Sequence, residues 1–188
     1  MRPFSKVELF WVLTILIAIS LASLANFRVS LRRSRDVERK AGLRDVYNAL
    51  ESYQKDFGFF PLASEGKIVA CKGVDTKIDA KGNIVGLVPC EWGKDSLVDV
   101  FDASFPSYLK TLPDDPFAAK GLTYVYFSSG TRFQIYASLE GEDEPEYDPK
   151  IVARSVSCGV RLCNFGLAYG NTPLDKSIEE YENEMYGD

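Results

Sequence analysis

Residues 9–27 carry no charge and are interrupted only by Thr14, Ser20, Ser23 and Asn26. As a helix this run spans about 28 Å, close to the hydrocarbon thickness of a bilayer. It is apolar on every face, which a core helix of this length seldom is, and it predicts a membrane segment. The helical pattern continues beyond it. From Arg28 to Phe57 the only breaker is Gly42, tolerated at about 1 kcal/mol relative to Ala. Leu43, Val46, Leu50, Tyr53 and Phe57 recur at alternating spacings of three and four, which draws one apolar stripe. Asp56-Phe57-Gly58 with Pro61 close behind is a stop signal. The pattern predicts a single helix of about fifty residues, its first half made for lipid and its second half laid against a folded body.

After Pro61 the period changes. Residues 67–71 and 83–90 are short β-prone runs joined by a link rich in Gly, Asp and Lys, and they read as a hairpin or loop clasped by Cys71 and Cys90. Asp95 or Ser96 is placed to cap a short helix carrying Leu97, Val98, Val100 and Phe101. Residues 122–127 and 131–139 alternate around Ser128-Ser129-Gly130, a β-hairpin signal. Val125 and Phe127 share one face of it, and Phe133, Ile135, Ala137 and Leu139 share another; these faces are expected to cover the helix stripe. Tyr124, Tyr126 and Tyr136 read as partly buried strand residues, with an exposed aromatic binding patch as the alternative. Residues 140–148 are densely acidic, and the polar stretch 177–186 fits a frayed terminal helix.

Composition narrows the function. The chain of 188 residues is 46% hydrophobic and 26% charged, which is a globular balance with room for one modest core. It has no histidine, so Ser-His and Cys-His nucleophile activation, His metal ligands and the commonest general base are all missing. No phosphate-cradling Gly motif and no distinct carboxylate pair stands out, and an enzyme is not expected. Nine Lys/Arg against five Asp/Glu up to Gln54 become thirteen against twenty-two thereafter. An acidic body of this kind is not expected to bind nucleic acid.

Cys71, Cys90, Cys158 and Cys163 all follow the apolar run, and four cysteines allow three pairings. Proximity favours Cys71 with Cys90 and Cys158 with Cys163, worth about 3 and about 2 kcal/mol by loop-closure entropy. Free buried thiols and a four-thiolate zinc site are the alternatives, although no Cys-x-x-Cys knuckle is present. Disulfides imply an oxidising compartment.

Topology pulls in two directions. Arg28, Arg32, Arg33 and Arg35 follow the apolar run while Arg2 and Lys6 precede it, which by the positive-inside rule places the body in the cytoplasm. The cysteines argue the other way. Ser23-Leu24-Ala25 offers a signal-peptidase site, but the run is longer than a signal peptide's apolar core and the helical pattern continues past it.

The opening Phe4-Ser5-Lys6-Val7-Glu8-Leu9 resembles the N-terminus of type IV pilins and type II secretion pseudopilins. Those begin, after a short basic leader, with Phe, carry Glu four residues later, and continue as an apolar helix. Residues 44–53 and the exit Asp56-Phe57-Gly58-Phe59-Phe60-Pro61 are similar to the helix end of the major pseudopilin branch. Residues 108–116 and the hairpin at 122–139 resemble that family's head, whereas 62–107 and the tail after Glu140 diverge.

The resemblance implies an α+β, pilin-like fold, with the long helix packed on a small antiparallel β-sheet head. Residues 1–3 would be a leader, 4–28 the transmembrane half of the helix, 29–57 its amphipathic half, and 58–188 an extracytoplasmic head. It implies a structural subunit of a pilus or pseudopilus filament, with the N-terminus cytoplasmic and the head periplasmic or extracellular. The implied partners are further copies, other pilin-like subunits, inner-membrane assembly machinery and prepilin peptidase. That peptidase would free and methylate the amine of Phe4, which the resemblance pairs with Glu8 of a neighbour. The family has Gly before the Phe; here Pro3 stands there, and proline lacks an N–H and restricts its flanking bonds. Read from physics alone, Glu8 is an interfacial carboxylate that reaches water. The family also carries calcium in the loop after the hairpin, which makes Glu140, Asp143 and Asp148 hard-oxygen candidates; otherwise the loop is a solvated acidic segment. The rival function is a non-polymerising anchor that displays a binding module.

Overall fold

The computed structural model describes residues 5–80, 84–102 and 104–187. One helix dominates it. Helix α1 runs unbroken from Lys6 to Phe57, 52 residues, and is about 78 Å long at the standard helical rise. Ser5 caps its start, and Gly58 ends it in the left-handed conformation (φ 79°), donating its N–H back to the Gln54 carbonyl. The stop predicted at Asp56-Phe57-Gly58 is where the helix stops. Gly42 has a packing reason: a Cβ there would meet the Pro113 ring at 3.1 Å, so glycine lets that proline lie on the helix.

The rest of the chain forms two three-stranded antiparallel sheets. In the first, β1 (Leu62–Ser64), β2 (Lys67–Ile78) and β3 (Ile84–Pro89) follow one another as hairpins. The expected pairing of 67–71 with 83–90 is present, although Asn83 lies outside the described residues; β2 is longer than its apolar core and carries two register shifts. In the second sheet β5 (Phe133–Ala137) lies between β4 (Val125–Ser128) and β6 (Phe165–Ala168). Helix α2 (Pro149–Ala153) follows the acidic loop, and α3 (Ile178–Tyr186) closes the chain behind a Ser177–Glu180 capping box. Residues 95–101 do not form the expected helix. Leu97 instead makes a bridge with Leu109, Leu97 N–H to Leu109 O at 2.9 Å, and is wholly buried.

The stripe Leu43, Val46, Leu50 and Tyr53 is buried in one core with Ile68, Leu97, Leu112, Phe133, Ile135 and Leu139. Phe133, Ile135, Ala137 and Leu139 therefore cover the helix as expected. Val125 and Phe127 do not. The register Val125↔Tyr136 and Tyr126↔Ile135 turns Tyr124 and Tyr126 to the helix, while Val125 and Tyr136 join a second core with Ile151, Cys158 and Cys163. An exposed tyrosine patch is ruled out, because all three rings are buried and each hydroxyl has found a carbonyl. Tyr124 donates to Asp114 O at 3.2 Å, Tyr126 to Pro61 O at 2.8 Å and Tyr136 to Leu174 O at 3.1 Å. A phenol whose O–H is satisfied can fill a core position as phenylalanine does.

Candidate functional site: the helix and its charged clasp

Along α1 the environment changes once. From Val7 to Leu31 the large apolar side chains stand exposed, Phe10, Trp11, Ile15, Ile17, Leu24 and Phe27 among them. Burial begins at Asp36 and is carried by the head from there to Tyr53. The exposed half is apolar and long enough to cross a membrane. At its mouth Ser5 and Glu8 form a capping box: Ser5 N–H donates to the Glu8 carboxylate at 2.8 Å and Glu8 N–H to Ser5 Oγ at 3.3 Å. Within one chain Glu8 thus closes its own helix end. Pro3 and Phe4 lie outside the described residues.

Where α1 enters the head, its cations seize the acidic loop. Arg39, fully buried, donates from Nε and Nη2 to both oxygens of Asp115 at 2.8 and 3.0 Å. Its Nη1 donates to Asp36 at 2.8 Å and to Glu140 at 2.9 Å. Arg35 holds Glu140 through two bonds of 2.7 Å, Arg32 reaches Asp143, and Lys40 bridges Glu144 and Glu146 at 2.9 Å each. Asp36 in turn accepts the backbone N–H groups of Glu140 (2.8 Å) and Gly141 (3.1 Å), so the loop is held by main chain as well as side chain. Hydrogen bonding to Arg35, reinforced by Arg39, pulls the Glu140 carboxyl down to about 2. Burial acts to lower the Arg39 pKa, but its bonds to Asp115 and Glu140 outweigh that and raise it. Arg39 is locked in its charged form.

The three calcium candidates are not brought together. Glu140 and Asp143 face guanidinium groups, and Asp148 caps α2 by accepting the Lys150 N–H at 2.8 Å. Among the described residues no group of three or more acidic, Cys or His side chains is arranged to hold a metal. The loop's charge is met by the helix instead. The loop is clamped at Glu140 and Glu144, while Glu142, Asp143 and Glu146 stay exposed, so the solvated acidic segment holds for part of it.

The four cysteines pair as proximity favours, Cys71 with Cys90 and Cys158 with Cys163, and no described cysteine is free. This replaces both the zinc and the free-thiol alternatives. The first bridge ties β2 to the residue after β3, under the helix; the second pins the 158–163 loop into the core behind β5.

The Arg39 cluster is not among the candidates that composition and motif point to, though the chain carries a signal for it. Positions 36 and 39 continue the spacing 43, 46, 50, 53 towards the N-terminus, so a charged pair occupies the face that must be buried.

No family model matches the chain, and no curated protein or solved structure matches it significantly.

Proposed function

We propose that the protein is a pilin-like structural subunit, anchored by residues 9–27 and assembled into a filament through α1, of the type IV pilus or type II secretion pseudopilus kind. The observation that supports this most is the division of α1 into an exposed apolar half and a half buried by its own head. Such a surface needs lipid, or the same surface on other copies, to exclude water. A continuous rigid helix lets it exchange one for the other without refolding. The α+β layout, with the helix laid on antiparallel sheet, is compatible with a pilin-like head.

In this reading the N-terminus is cytoplasmic and the disulfide-bonded head lies in an oxidising compartment. Two of the four arginines after the apolar run have a task in the head, which weakens their pull towards the opposite orientation. Arg32 and Arg35 serve the clasp on Asp143 and Glu140. Glu8, at the edge of the hydrocarbon, is costly to leave unpaired among packed helices, and in the filament a neighbour's N-terminal amine is its partner.

The test is incorporation. Glu8→Lys should remove the subunit from sheared or pelleted filaments while the head keeps both disulfides. Glu8→Lys subunits assembling at normal levels would refute the role of Glu8. A chain that stays a membrane monomer even as wild type would favour the anchored binding module.

A further inference from the structure

At the far end of the head, where α1 stops, lies an open groove of about 470 Å³ between the helix end, the first sheet and the segment that carries Val100 and Phe101. Tyr53, Phe57, Phe59, Leu62, Val100 and Phe101 line it, and Phe59, Leu62 and Phe101 are half exposed or more. Its surroundings are acidic. Asp56 closes the helix beside it, accepting the Tyr108 hydroxyl at 2.6 Å, and Asp99 and Asp102 shape the turn that carries Phe101. Lys55 is the neighbouring cation on α1.

At the other end of the head, α1 emerges with the opposite character. Leu24, Phe27 and Leu31 fall at spacings of three and four, so they share one face, and all are exposed. Arg28 flanks that face, exposed and outside the clasp. An apolar ridge with a basic flank thus matches an aromatic groove with an acidic rim. The two cannot meet within one chain, because the helical rise holds Leu31 about 39 Å from Phe57.

We propose that the groove receives the Leu24–Leu31 ridge of a second copy, displaced by about 40 Å along the helix axis. This rests on the filament reading and gives it a specific contact. The pairing is heterologous, with a ridge at one end of the molecule and a groove at the other. Such an interface either closes a ring or propagates as an open fibre. Parallel copies stacked along α1 cannot close, so each addition presents a fresh groove. The ridge straddles the end of the apolar run, and so becomes fully available only to a subunit that has left the bilayer.

The test uses the full-length chain in its membrane or filament, with Leu31→Cys and Phe101→Cys introduced together and singly. Both side chains are exposed, so the core is untouched, and mass mapping verifies that Cys71–Cys90 and Cys158–Cys163 are intact. Mild oxidation should give the double variant a ladder of dimers, trimers and higher species, and each single variant no ladder beyond a dimer. Filaments seen by electron microscopy without that ladder overturn the groove contact while leaving the filament reading in place. Absence of both filaments and ladder overturns both. A cross-link from Phe101→Cys to a different protein overturns the choice of a second copy as occupant.

Discussion

The residue on which the head turns is Arg39. It is fully buried, and its guanidinium meets Asp36, Asp115 and Glu140 together. A buried ion pair contributes little net stability compared with a good apolar replacement, yet removing one partner leaves the other charges stranded. Arg39→Met is therefore expected to destabilise the head by about 3–5 kcal/mol, since Asp36 and Asp115 stay behind without a cation. Arg39→Lys restores the charge but not the planar fork that serves three carboxylates, and should fall between the two. Urea unfolding of the detergent-solubilised chain, followed by near-UV circular dichroism, checks both. A loss below about 1 kcal/mol for Arg39→Met would place the cluster among ordinary surface pairs. At the same scale, Gly42 was legible only as a helix defect; its contact with Pro113 depends on a partner seventy-one positions away, which no local pattern shows.

Among the elements, the acidic loop after β5 carries the clearest pH signature. The Glu140 carboxyl lies at about 2 in the folded head against an ordinary value of 4.5, because Arg35 and then Arg39 hold its ionised form. A group depressed by folding contributes stability that is complete above its unfolded pKa and is lost as pH falls through its folded one. The thermal midpoint of the head should therefore drop as pH is lowered from about 4.5 to about 2, and Glu140→Gln should flatten that slope. An unchanged slope in Glu140→Gln would show that other carboxylates set the acid limit. The elements themselves were legible to different degrees. Helix α1 was readable throughout, because an apolar run of membrane length leads without a strong breaker into the stripe from Leu43 to Phe57, and Gly58 marks its end. The β4–β5 hairpin was readable as a hairpin but not in orientation. Both faces of β4 are apolar or aromatic, and alternation alone does not tell which one meets the helix. The hydroxyls of Tyr124 and Tyr126 hinted at the outside face, yet carbonyls from Asp114 and Pro61 satisfy them inside. Residues 95–101 have helix-like caps and spacing, but the bridge from Leu97 to Leu109 took that backbone into an extended pairing. The clasp was hidden for a similar reason. The acids around Arg39 come from 36, 115 and 140, and that geometry exists only after the chain has folded.

Over the whole molecule, α1 sets the economy of the design. Its second half is an internal strut: the head folds around it, the clasp fastens the acidic loop to it, one disulfide closes the first sheet within the main core and the other pins the 158–163 loop into the second core. Its first half has no covering of its own. In the proposed filament, a head fixed in this way to a continuous helix would hand force and position along, since displacement of α1 would carry the head with it. The groove near Phe57 and the ridge around Phe27 would then set the axial repeat. The central claim, assembly through α1, is tested most directly by electron cryo-microscopy of the full-length chain recovered from the membrane, with both disulfides intact. The expected result is filaments in which parallel copies of α1 pack their residues 9–27 in the centre, with heads outside. Chains found only as single detergent-bound or lipid-bound particles, under conditions that keep the head folded, would contradict it.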